Sequence, residues 1–187
     1  MFSVYVNFVV NSHRRIASVL VLSALTAIAT ASPSQQRPPD IYFVGTPQPI
    51  VDAMLRLARV TADDVVYDLG SGDGRIVILA AQKYGARGVG IEIDPTLVAR
   101  SREIAREAGV EDTVSFIEGD LFKADVSPAT VVTLWLSASI NAQLEPILKR
   151  QLRPGARIVS HQFPMSDWAP DDRVRVRDVD VFLWRVK

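Results

Sequence analysis

Three glycines at alternate positions, Gly70, Gly72 and Gly74, follow an acid, Asp68, with Leu69 and Ser71 in the gaps. Glycine allows backbone angles that a Cβ forbids and lets the main chain lie flat against a ligand. A helix opening directly after such a loop turns its free amides, and the positive end of its dipole, toward that ligand. The dinucleotide fingerprint G-x-G-x-x-G would need its third glycine at Arg75, and here it comes one residue early, at Gly74. An acid beside the loop suits a ligand that carries positive charge. Glu92 stands 22 residues after Gly70, near the ~20 at which a strand-end carboxylate reaches a ribose diol and accepts from both hydroxyls. The bland readings are a glycine-rich turn for the loop and a solvated strand-end charge for Glu92.

The elements around these residues must be strands that deliver them and helices that cross back. Val65–Leu69 is a β-branched apolar run and predicts a buried strand feeding the loop. The apolar repeat after Arg75 predicts a helix ending near Tyr84-Gly85. Gly88–Asp94 reads as a second strand. Pro95 opens the helix after it, Asp94 caps that helix and Gly109 closes it. Val114–Ile117 reads as a third strand leading to Gly119-Asp120-Leu121, which alone would be an ordinary turn. Thr130–Leu136 and Ala156–His161 are strands four and five, with a helix between them from Asn141, expected as its cap, to Leu152. Upstream, Thr46 is expected to cap a helix that Pro47 opens. Val174–Val176 and Val179–Val186 predict a terminal antiparallel hairpin, with Arg173, Arg175 and Arg177 on one face as a solvated edge rather than an RNA patch. Alternating strands and helices make an α/β, Rossmann-like parallel sheet with right-handed crossovers and helices on both faces. With the hairpin the sheet has seven strands. Ligands then sit beyond the carboxyl ends of the strands, where Gly70, Glu92, Asp120, Ser137 and His161 converge.

The 187 residues, 48% hydrophobic and 22% charged, suffice for one core. Zero net charge announces no nucleic-acid partner, and the lack of cysteine removes disulfides and thiolate chemistry. Two histidines, His13 and His161, are too few and too far apart for a histidine-based metal site. Residues 1–31 carry no acid, an Arg14-Arg15 pair and then an uncharged run from Ile16 to Thr30. That is the layout of a signal peptide or membrane anchor, unless translation starts further on. Residues 32–40 read as a linker and 41–187 as the domain.

The pattern D-x-G-x-G-x-G resembles the first motif of the class I S-adenosylmethionine-dependent methyltransferases. Tyr42…Thr46-Pro47, Asp68 to Arg75, Val131 to Ser137, and Ser160-His161-Gln162-Phe163 with Asp167 to Asp171 resemble one branch in particular. That branch is the small membrane-associated protein-lysine methyltransferases of mitochondria (ATP synthase c-subunit and adenine nucleotide translocase type) and their bacterial relatives. The chain departs from them at Phe43-Val44-Gly45, where the family reads Val-Pro. The resemblance implies S-adenosyl-L-methionine as cofactor, held by Tyr42, Thr46, Asp68, Gly70, Ser71, Gly72, Gly74, Glu92, Asp120, Leu121 and Trp135. In that pattern Asp120 accepts from the adenine amino group and Leu121 covers the ring; Tyr42 could equally be a core aromatic. The resemblance further implies a lysine-bearing protein substrate, a membrane protein among the candidates, no metal, and a monomer. Ser137, Asn141, His161 and Trp168 are candidates for the substrate mouth. His161 either handles the amine proton or is simply a satisfied strand-end histidine. Leu136-Ser137-Ala138 stands where enzymes acting on adenine or glutamine amides carry Asn-Pro-Pro-Tyr/Phe, which argues against those acceptors. The rival readings are a small-metabolite or RNA methyltransferase and an exported domain without catalysis.

Overall fold

β-Branched runs bounded by glycine and proline turns form strands buried on both faces, and amphipathic segments between them return along the sheet. The computed structural model describes residues 44–187; the signal or anchor segment, the linker and Tyr42 lie outside the described residues. The order is α1 (Gln48–Leu57), β1 (Val65–Leu69), α2 (Arg75–Tyr84), β2 (Arg87–Glu92), α3 (Pro95–Glu107), β3 (Val114–Glu118), β4 (Val131–Leu134), α4 (Ala138–Gln151), β5 (Arg157–His161), β6 (Asp172–Val176) and β7 (Val179–Arg185). The seven strands lie in the order β3-β2-β1-β4-β5-β7-β6. The first five pair in parallel, and β7 runs antiparallel to both β5 and β6. Strand order reverses between β1 and β4, which opens the crevice where ligands bind in such sheets.

The central strands send alternate side chains to opposite cores. Val66, Val131, Val159, Val181 and Leu183 pack under α1, α2 and α3. Tyr67, Leu69, Val132, Leu134, Ile158 and Trp184 meet Ile140, Leu144 and Leu148 of α4. The β3–β4 connection, residues 119–130, contains no helix. The sheet face over β2 and β3 is therefore partly open, and Ile117 is 49% exposed. At the amino ends of the strands, Asp64 accepts from Thr61 N (2.8 Å), Thr130 Oγ1 (2.7 Å) and Arg157, whose other amino group donates to Ala58 O (2.7 Å). Burial alone would raise the Asp64 carboxyl, but these donors hold it below its ordinary range. This pin sets the end of α1 against β1, β4 and β5.

Two expected caps differ. Ser137, not Asn141, caps α4, and the cap comes four residues early, because the Asn141 side chain is engaged with β5. Thr46 does not cap α1: Pro47 holds the cap position without a side-chain bond. Asp94 caps α3 as expected, accepting from Thr96 N at 2.8 Å.

Candidate functional site

β1 ends at Leu69 and the chain turns through Gly70, Gly72 and Gly74 with φ of 77°, 55° and 77°, all in the left-handed region. Gly70 N and Ser71 N donate to Ile91 O at 2.9 and 3.0 Å, which fastens the loop to β2. At Gly74 a Cβ would overlap the Phe116 ring. The third glycine thus serves close packing of loop on β3 as well as the turn into α2.

Two carboxylates reach this loop from below. Glu92 is 8% exposed. Its Oε2 accepts from Gly72 N (2.8 Å) and its Oε1 from Ile93 N (2.8 Å) and Asp94 N (3.0 Å). About four acceptor positions belong to a carboxylate, so Oε2 keeps room for a ligand hydroxyl while the rest of the group holds the loop. Asp68 pairs in register with Thr133 across β1 and β4 and accepts from its Oγ1 at 2.7 Å. Burial pushes the Asp68 carboxyl up to about 7, and the charges of Glu92 and Asp73 add to the rise. Asp73 is held below its ordinary value: burial opposes ionisation, but the Arg75 guanidinium, bonded at 2.8 and 2.6 Å, outweighs it.

From β3, Asp120 folds over its own turn, accepting from Phe122 N at 3.0 Å, and the half-buried Leu121 reaches within 4.0 Å of the place a Gly70 side chain would fill. From β4 and β5, Trp135 stacks on His161 with ring centroids 4.5 Å apart and planes 28° from parallel. His161 is 2% exposed, and its Nδ1 has no partner. Burial pushes its pKa down to about 4, so the ring is neutral. Asn141, also buried, donates to Phe163 O (2.8 Å) and Ser160 Oγ (3.2 Å), leaving its Oδ1 without a partner.

The carboxyl edge therefore gathers Asp68, the glycine loop, Glu92, Asp120, Leu121, Trp135, Asn141 and His161. The surroundings of three further candidates are as follows. Ser71 Oγ points into the sheet at Gly90 and has no partner. Ser137 is occupied as the α4 cap. Trp168 lies along α4, with Lys149 Nζ 4.8 Å over its ring and its carbonyl taking Trp184 Nε1 at 2.7 Å. Sequence reasoning missed Thr133; its signal was a hydroxyl inside the apolar run of β4, and the observed parallel register sets it opposite Asp68. A groove of about 1110 Å³ lies at the other end of the sheet, at Val65, Tyr67, Val89 and Ser115, because no helix covers that face.

This edge suits a ligand carrying an ammonium, a sulfonium and a ribose. It offers buried carboxylates, one of them costly to ionise unless a cation arrives, a main chain bared of Cβ atoms at three glycines, and a free acceptor on Glu92. Among the described residues, no three acids or histidines stand together as a metal site, and no helix is long and apolar enough to cross a membrane.

Comparison with known proteins agrees with this geometry. Residues 68–172 match the family described as the ANTKMT methyltransferase domain. A protein-lysine N-methyltransferase of Saccharolobus islandicus is 40% identical over 141 residues, which are 75% of this chain and 88% of that protein. The human ATP synthase c-subunit lysine N-methyltransferase is 36% identical over 152 residues; the match takes in 78% of this chain but only 64% of the human protein. Among solved structures, an RNA methyltransferase from Salinibacter ruber in complex with S-adenosyl-L-homocysteine is 59% identical, with a TM-score of 0.76 over 76% of this chain and 94% of that one.

Proposed function

The chain belongs to the ANTKMT methyltransferase family, and on that premise we propose that it methylates lysine side chains of a protein partner. It is an S-adenosyl-L-methionine-dependent methyltransferase with a class I fold. The cofactor supplies an activated methyl group on sulfur, open to in-line displacement. Everything else falls to the chain, and alignment and exclusion of water carry most of the work. Asp68 and Glu92 lie where positive charge and ribose hydroxyls would be held, and Leu121 offers apolar cover beside Gly70.

A lysine must arrive as the free amine. Trp135 and the neutral His161 make a wall that solvates an ammonium poorly, so an entering amine is pushed toward its uncharged form. A histidine held near 4 is too weak a base to strip an ammonium; it acts instead as a fixed acceptor that can orient an amine N–H. The lysine assignment is carried by one observation, the 40% identity across 88% of the archaeal protein-lysine methyltransferase. We place a membrane protein first among the candidates, with the enzyme anchored or exported through residues 1–31 and acting as a monomer.

A second reading, RNA methylation, is favoured by the 59% identity to the Salinibacter RNA methyltransferase. Against it stand the zero net charge and the acidic cradle. The purified chain, given radiolabelled cofactor and parallel membrane-protein and total-RNA fractions, separates the two. Protease-sensitive label found on lysine by mass spectrometry supports the proposal, and label that ribonuclease releases overturns it.

A further inference from the structure

Arg75 opens α2 in the place where a dinucleotide loop would carry a glycine, and its side chain makes an arrangement that the reaction itself does not demand. Nε and Nη2 grip Asp73 at 2.8 and 2.6 Å, while Nη1 donates to Thr46 O at 3.0 Å. Thr46 is 4% exposed. The guanidinium lies flat on Gly45, so close that a Cβ there would overlap its carbon and both terminal nitrogens. Gly45 is not in the left-handed region, so the obstacle to a side chain at 45 is the guanidinium and not backbone strain.

A planar guanidinium with a fork of donors can do this and an ammonium cannot, because it must stack on a peptide and bond in two directions at once. The residues joined are Asp73, inside the glycine loop, and the strap Val44–Thr46 that enters α1. The strap is thus bolted to the loop at the point where α2 presents its first amides. We propose that Arg75 is a positioning residue for cofactor retention: through Asp73 and Thr46 it fixes the strap as one wall of the cradle, and the glycine at 45 exists to let the guanidinium lie there. The inference goes beyond the lysine assignment and rests only on the cofactor.

The test is the release rate of S-adenosyl-L-homocysteine from the full chain, measured by stopped-flow for wild type, Arg75→Lys, Gly45→Ala and the double variant. Both single substitutions preserve every charge. Gly45→Ala need only displace the far end of a flexible side chain, so the fold survives even if Arg75→Lys does not. Release should quicken about tenfold in each single variant, which is ~1.4 kcal/mol. The double variant should be no faster than either, since both break one contact. In turnover the KM for the methyl donor should rise by a similar factor while kcat at saturation holds, a split that a general loss of stability would not give. Unchanged release in Gly45→Ala, or effects that multiply in the double variant, would overturn the proposal. Failure of the wild type to bind would overturn the cofactor assignment itself.

Discussion

Asp68 is the residue at which stability and binding oppose each other most directly. Its carboxyl sits at about 7 in the folded chain against an ordinary 3.8, with burial the leading cause. Between those values the folded state holds a proton that the unfolded state has given up, so this group lowers stability as pH rises from about 4 to 7. The accumulated cost above pH 7 is about 4 kcal/mol. Asp68→Asn keeps the shape and can still accept from Thr133, but it carries no titrating proton. The stability of the variant relative to wild type should therefore grow by about 4 kcal/mol between pH 4 and pH 8. The difference is essential, because His161 works in the opposite sense. Its pKa is depressed to about 4, so its neutral burial contributes stability above 6.5 that is lost as pH falls toward 4. The wild-type profile is accordingly flattened, and Asp68→Asn should expose the rising slope that His161 supplies. Urea unfolding at half-unit pH steps reads both curves. Binding should move the other way: the wild type should hold S-adenosyl-L-homocysteine roughly tenfold more weakly at pH 5.5 than at pH 7, because a protonated Asp68 must give up its proton to meet a cation. The variant should bind weakly at both. Growth of the stability difference by less than about 1 kcal/mol would refute the reasoning from burial.

Other substitutions test the remaining parts of the cradle. Glu92→Gln turns an NH2 group toward an amide donor in a site where the carboxylate takes three main-chain amides. Calorimetry should show ligand affinity falling by ~1.5–3 kcal/mol, and an unchanged affinity would remove Glu92 from the site. Gly74→Ala places a Cβ against Phe116 at a φ of 77°, and its thermal midpoint should drop by the equivalent of ~2–4 kcal/mol. His161→Asn should lower turnover without removing any limb of the pH–rate profile near 6.5. A limb there that vanished in the variant would show that His161 works as a base after all.

The strands, the loop and the Asp94 cap were legible because local rules decide them. A β-branched run, alternate glycines, and an acid before proline each have one economical conformation. Asn141 is a good cap by the same local rules, but its amide is drawn to Ser160 and Phe163 on and beyond β5, contacts 19 and 22 residues away. Thr46 departs from its expected place for a related reason, since what matters there is its carbonyl, taken by Arg75 across 29 residues. Trp168 likewise meets Lys149 of α4 only in the folded chain. The division is physical: backbone conformation follows from neighbours in sequence, while the direction of a polar side chain follows from partners that only the folded sheet supplies.

The same distinction gives an argument for the site that does not depend on its glycines. Among the described residues, three buried side-chain atoms lack a hydrogen-bond partner, namely Ser71 Oγ, Asn141 Oδ1 and His161 Nδ1. A buried orphan costs about 1–3 kcal/mol, and native proteins keep few of them. Here all three lie at the carboxyl ends of β1, β4 and β5, together with the carboxyl of Asp68, which burial makes hard to ionise. At the amino ends of the same strands, by contrast, Asp64 accepts from Thr61, Thr130 and Arg157. Chance would scatter such unfavourable terms over both ends of the sheet. Their concentration at the edge that faces the topological switch, with Ser71 Oγ turned into the sheet at Gly90 and the other two toward α4 and β5, sets this edge apart from the amino-terminal one among the described residues. Its polarity, acids beside a loop bared at three glycines and a neutral aromatic wall beyond, suits a cationic donor on one side and an uncharged amine on the other.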